Sequence, residues 1–222
     1  GEKTMVQRKD GLETRTHLLE AGADMFAEKG YGDALVAEIC ERAGANVAAV
    51  NYHFGGKEAL YVEVWRQQLD EAQNLYPLEG DVAPDASLEE RLRAHIFVML
   101  QRMTDRGRLG NLHRLFEHER ANPTGLIDEL LRQLREPGIQ VLHGLVREGL
   151  GEDVSEETLQ FTVFSIINQC RGVIGSSRRG APPFIKKPLT RPAIERLADH
   201  MARFSVGGME KIRQTSNRKT SQ

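Results

Sequence analysis

Residues 30–60 read GYGDALVAEICERAGANVAAVNYHFGGKEAL, and the placing of apolar, small and glycine residues in this stretch decides the fold. Val36 to Ala43 has helical periodicity, and Gly44 stops it. Asn46 is placed to cap a second short helix through His53, because its side-chain oxygen can accept from first-turn amides. Gly55–Gly56 makes a turn, and a long helix is predicted from Lys57 to about Leu75. On the N-terminal side, a helix over about Glu13 to Lys29 sets Leu19, Ala23 and Phe26 on one face, with Gly30 in the position of a C′ glycine. Ile39, Ala43, Val50 and Phe54 have the spacing to pack the two short helices onto that first one.

Two short helices joined by a tight glycine turn have the geometry of a helix-turn-helix, whose second helix enters the DNA major groove. The packing residues leave Val47, Ala48, Asn51 and Tyr52 facing outward. Small side chains there let the backbone approach base edges, and an asparagine can pair bidentately with adenine. His53 and Lys57 fall at the far end, where Lys57 and the amides of a new helix N-terminus are available to a phosphate. Arg42 and the arm residues Arg8, Lys9 and Arg15 are candidates for further backbone charge.

The helix LLEAGADMFAEKGY (18–31), the AGAN turn (43–46) and NYHFGGKEAL (51–60) together resemble the DNA-binding domain of the tetracycline-repressor-like (TetR-like) transcriptional regulators. Spacing, glycines and aromatics agree from Thr14 to Leu60. The resemblance implies a homodimer on a double-stranded operator. It implies base contacts near Ala48, Ala49 and Asn51 and phosphate contacts at Tyr52, His53 and Lys57. One departure is Ala34–Leu35, where such regulators usually carry Thr or Ser; Asp33 is then left to cap the second helix, and its charge is the wrong sign beside DNA. The rest of the chain resembles the family's all-helical ligand-binding and dimerisation domain, and its C-terminal half is similar to the subgroup that responds to cytotoxic compounds.

Outward from that segment, the 222-residue chain is ordinary in bulk. It has 30 Lys plus Arg, 32 Asp plus Glu, a net charge of −2 and 40% hydrophobic residues. That balance excludes a histone-like protein held to nucleic acid by bulk charge. Residues 1–60 carry 7 basic and 10 acidic side chains. Cys40 and Cys170 form no metal-type spacing, and the charged N-terminus lacks the apolar stretch of a signal peptide. No apolar segment reaches the ~18 residues of a membrane span. A cytoplasmic protein without a membrane partner is expected.

Helical periodicity continues beyond Leu75. YPLEGDVAPDAS (76–87) reads as a loop, and Ser87 with Glu90 forms a capping box for a helix over about 88–105. Further helices are expected at 110–121, 125–136 and 138–149, the last two divided by Pro137–Gly138. Ser155 begins another to about Ile174, 175–190 is loop with a basic run over 177–191, and Thr190 precedes a last helix to about Arg213. The expected division is a DNA-binding domain at 1–56, a regulatory and dimerisation domain at 57–213 and a disordered tail at 214–222 in an all-α chain.

Leu159, Val163, Ile166 and Cys170, with Ile194, Leu197, Met201 and Phe204, recur at steps of 3 and 4 and read as two coiled-coil-type seams for a dimer interface. The same stripes can instead face their own core. Phe161, Phe164 and Ile167 give the first of these helices a second apolar face. Met99, Met103, Phe116 and Asn168 are candidates for an adaptable cavity holding an apolar or amphipathic effector, though such residues also fill ordinary cores. Other chemistries fare worse. Gly56–Lys57 lacks the glycine and hydroxyl of a phosphate loop, and no nucleophile motif of the GxSxG kind occurs. His113, Glu117 and His118 are read as surface charges rather than metal ligands, and no cofactor is expected. The reading is a ligand-responsive regulator, most simply a repressor and not an enzyme. The rivals are a helical interaction module with a vestigial helix-turn-helix, and a helical enzyme.

Overall fold

The computed structural model describes residues 2–78, 82–83, 85–175 and 189–220, and among these every regular element is a helix. The helices are α1 (Glu2–Asp33), α2 (Val36–Ala43), α3 (Val47–Phe54), α4 (Lys57–Leu75), α5 (Leu88–Thr104), α6 (Gly110–Ala121), α7 (Asp128–Leu150), α8 (Glu156–Gly175) and α9 (Arg191–Thr220). The chain divides into two compact units, one of Gly1–Asn74 with Arg106–Gln133 and one of Leu75–Asp105 with Leu134–Gln222.

The first unit packs α1–α4 and α6 around an aromatic centre. Phe26 meets Tyr61 edge-on at 4.9 Å, and Phe116 meets Trp65 at 4.8 Å. Leu19, Ala23 and Phe26 are buried, the face expected of α1. Full burial of a leucine or phenylalanine side chain contributes about 1.5–3 kcal/mol. One charge is enclosed with them. Glu119 of α6 accepts from Tyr61 Oη at 2.8 Å and from the amide and hydroxyl of Thr124 at 2.7 and 2.8 Å. Burial and that carboxylate push the Tyr61 phenol well above its ordinary pKa. Asn111 of α6 donates to Asp24 at 2.8 Å, and His118 Nε2 lies 3.2 Å from the Ala27 carbonyl oxygen.

In the second unit α5 lies along α9 and α8. Its core joins Leu92, Ile96 and Leu100 of α5 to Val146, Leu159, Ile166, Cys170, Ala198 and Ala202. The capping box is present: Ser87 Oγ accepts from the Glu90 amide, and Glu90 accepts from the Ser87 amide at 2.8 Å. Ser155 Oγ accepts from the Thr158 amide at 3.2 Å and starts α8.

Several expectations are corrected. α1 begins at Glu2 rather than Glu13 and is interrupted only by Gly30 before ending at Asp33. The pair of helices expected on either side of Pro137 is one helix, Asp128–Leu150, because a proline removes a single i→i−4 bond and the turns flanking it carry the helix on. Residues 214–220 extend α9 instead of forming a tail; its one proline, Pro192, sits in the first turn, where a missing N–H costs nothing. The basic run and the loop expected at 175–190 fall largely outside the described residues.

The dimer seam is also corrected. Leu159, Val163, Ile166, Cys170, Ile194 and Met201 are buried in the core of their own unit, so they are not available to a second chain. Leu197 packs partly against that core, and Phe204 points away from it, 68% exposed. The opposite face of α8 is the open one, with Phe161 and Phe164 at 63% and 66% exposure.

Candidate nucleic-acid interface

The geometry of the helix-turn-helix follows from short-range chemistry. Gly44 takes a left-handed conformation (φ 65°), and its amide reaches the Glu41 carbonyl at 3.2 Å while Ala45 reaches that of Cys40 at 2.9 Å. A β-carbon is strained at such a φ, so the turn selects glycine. Asn46 then caps α3, its Oδ1 accepting from the Ala49 amide at 3.0 Å. Ile39 and Cys40 of α2 and Val50 of α3 are buried beneath the pair. Burial raises the Cys40 thiol pKa, which leaves it a packing residue.

That seating presents one face of α3 outward. Val47 is half exposed, Ala48 and Asn51 are exposed, and Tyr52 is 84% exposed. Ala49 is half-buried. His53 turns toward α1: it stacks edge-on against Tyr52 at 4.9 Å, and a β-carbon on Gly11 would stand 4.0 Å from its Cε1. Among the sequence-derived candidates, Val47, Ala48, Asn51 and Tyr52 therefore share one open surface, with Lys57 at the start of the next helix.

The cations are placed differently from the expectation. Arg42 is held by Glu28 through two bonds of 2.9 and 3.0 Å, and the guanidinium holds that carboxyl below its usual range. Arg15 donates to Glu63 at 2.9 Å and lies 5.1 Å from the Phe54 ring centroid. Lys29 and Glu38 pair at 2.7 Å. Lys57 Nζ sits 4.5 Å from the centre of the Tyr31 ring and donates to the Gly32 carbonyl at 3.4 Å; partial burial lowers its pKa. The side chains of Arg8 and Lys9 lie outside the described residues. The cap expected of Asp33 is not made either. Leu35 is the N-cap residue of α2, 58% exposed and with no side-chain bond to the first turn.

The four effector candidates are divided between the two units. Met99 and Met103 lie a turn apart on α5, packed against the core of the second unit. Phe116 belongs to the first unit, edge-on to Trp65. Asn168 lies toward the open side of α8: its amide donates to the Phe164 carbonyl at 2.8 Å, beside the exposed phenyl rings. The sequence reading missed His95, one turn before Met99, which is 3% exposed with Nδ1 unbonded. Its burial and the Arg102 charge push its pKa down to about 4. Glu117 accepts from Arg106 at 3.2 Å, and no group of three potential metal ligands occurs among the described residues.

Comparison with known proteins agrees with this geometry. Residues 18–64 match the bacterial regulatory proteins of the tetR family, and residues 88–209 match the C-terminal domain of the HTH-type transcriptional dual regulator CecR. The chain is 28% identical over 138 residues to the transcriptional regulator SrpR of Pseudomonas putida and spans 62% of its length, less than two thirds. It is 30% identical over 155 residues to RutR of Escherichia coli O157:H7, covering 67% of this chain and 69% of RutR. A transcriptional regulator from Pseudomonas aeruginosa PAO1 has the same fold, with a TM-score of 0.66 at 20% identity over 89% of this chain and 92% of that one. No described helix is long and apolar enough to cross a membrane. With an N-terminal helix-turn-helix on one side and a CecR-type domain on the other, the chain belongs to the TetR family of transcriptional regulators.

Proposed function

We propose that the chain is a ligand-responsive repressor that binds operator DNA as a homodimer and is released by an apolar or amphipathic small molecule. The observation that carries this reading is the open face of α3, where Val47, Ala48, Asn51 and Tyr52 stand clear between a capped start and a glycine stop. Ala48, Ala49 and Asn51 are assigned to base edges, and Tyr52, His53 and Lys57 to phosphates. Arg42 serves better as a clamp on Glu28 than as a phosphate ligand. Release is a matter of linkage: an effector that prefers the conformation with misplaced reading helices lowers operator affinity by that same preference. The half-buried Met99 and Met103, with the unbonded Nδ1 of His95, favour α5 of the second unit as the effector's place.

The test is binding to duplex DNA at two salt concentrations, followed by footprinting on the DNA flanking the chain's own coding region. A DNA-binding protein shows a steep salt slope, whereas an interaction module with a vestigial helix-turn-helix, or an enzyme, does not. Transcription from the footprinted promoter should fall when the protein is added and recover with an effector. If no compound of a broad apolar panel changes both the melting temperature and the DNA affinity, the ligand-switch reading fails while DNA binding stands.

A further inference from the structure

The exposed face of α3 lacks the cationic paired donors and the carboxylate that best recognise a G·C pair. Guanine offers two acceptors, O6 and N7, which Arg or Lys reads with paired donors, and cytosine offers an amino group that a carboxylate accepts. The α3 sequence VAAVNYHF contains no Arg, Lys, Asp or Glu. Between Tyr31 and Gly56 the only basic residues are Arg42 and His53. Arg42 lies on α2 with its guanidinium bonded twice to Glu28, and His53 is half-buried with its ring turned toward α1. Lys57 is drawn back over the Tyr31 ring.

What the face does hold is aliphatic surface, one amide and the Tyr52 phenol, which is assigned above to phosphate. Val47 is half exposed at the N-terminal end of α3, the end that meets base edges in a helix-turn-helix, and Ala48 beside it is too small to hold the backbone away. Of the four base edges in the major groove, thymine alone presents a methyl group, the natural partner of such a surface. Asn51 lies four residues beyond Val47, about 6 Å along the helix, or one to two base steps of about 3.4 Å. Its amide matches the donor and acceptor of adenine.

We propose that this protein reads its half-site through thymine, by packing Val47 and Ala48 against thymine methyl groups and pairing Asn51 with a neighbouring adenine, so that its operator is A·T at the contacted steps. This rests on the DNA-binding reading above and specifies which duplex that surface takes.

The experiment selects binding sites for the full-length protein from a random duplex pool, then replaces single thymines of the enriched half-site with deoxyuridine, which lacks only the methyl group. The expected half-site is A·T at the contacted steps, and one or two deoxyuridine substitutions each weaken binding about fourfold, the effect of one buried methyl group. Val47→Ala should bring the thymine-to-deoxyuridine ratio toward one at its own position, while Asn51→Ala leaves that ratio unchanged. Half-sites centred on guanine, or equal binding of the thymine and deoxyuridine duplexes, overturn the thymine reading and leave DNA binding intact. A pool bound without enrichment overturns the thymine reading alone, and a protein that retains no duplex of the pool at low salt overturns the DNA-binding reading and this proposal with it.

Discussion

Asn51 carries the only amide side chain between Val47 and Phe54, so its removal tests the reading face at a single base pair. Asn51→Ala should cost about 1–3 kcal/mol at that pair and relax the preference there, measured by competition with operator variants. A uniform loss over all variants would make it a backbone contact. Lys57 tests the opposite kind of contact. Its ammonium must leave the Gly32 carbonyl to bind a phosphate, and Lys57→Ala should flatten the salt slope by about one unit. An unchanged slope removes it from the interface. In the second unit, His95 links a residue to pH. Its pKa falls from about 6.5 when unfolded to about 4 when folded, so folding favours the neutral ring. That contribution is complete above about pH 6.5 and is lost as pH drops toward 4. Between pH 7.5 and 4.5 the protein should therefore lose roughly 2–3 kcal/mol more than its His95→Leu variant in denaturant unfolding. Equal losses would show that the ring reaches water.

At the scale of elements, two glycines of positive φ should respond differently. Gly30 has φ 78° and ψ 172°, and a β-carbon there would stand 2.8 Å from His118 Nδ1. Gly44 has φ 65° with open space around it. Gly44→Ala should cost about 1 kcal/mol, the left-handed penalty alone, and Gly30→Ala distinctly more, about 2–3 kcal/mol, because its backbone region is closed to a β-carbon and His118 of α6 must also yield. Equal melting-temperature shifts would mean that the backbone at position 30 relaxes into the ordinary left-handed region and that His118 moves aside freely. Both glycines are legible in the sequence as helix stops, and so is the Asn46 cap, since caps act over three or four residues. What His118 does to Gly30 is not legible, because the contact crosses 88 positions of chain. Arg42 teaches the same lesson: its partner Glu28 is 14 residues away on another helix, and spacing alone offered it to DNA. Pro137 misleads in the other direction, since a local helix breaker is overridden when the turns around it remain bonded.

For the molecule as a whole, the proposed homodimer must form through a surface that the core leaves open. The steps of 3 and 4 along α8 and α9 identify apolar stripes, but periodicity does not say whether a stripe faces its own core or another chain. Here the regular stripe fills the core, and the irregular face is left over. Phe161, Phe164 and Phe204 are each about two thirds exposed, and the Phe204 ring is stacked near His200 at 6.4 Å. Exposed phenyl rings of this size mark a surface that gains by being covered. A homodimer formed through this face would set two copies of α3 on one duplex, with half-site centres about 34–36 Å apart or a multiple of one helical turn. Two substitutions on the same helix then separate core from interface. Ile166→Glu places an unpaired charge among buried residues and should unfold the second unit, at a cost of several kcal/mol. Phe164→Glu starts from an exposed position, so the monomer should keep its helical circular dichroism while sedimentation at micromolar concentration shows the dimer lost. Operator affinity should fall with it, because each reading helix then binds without its partner. A Phe164→Glu protein that stays dimeric would exclude this face as the interface.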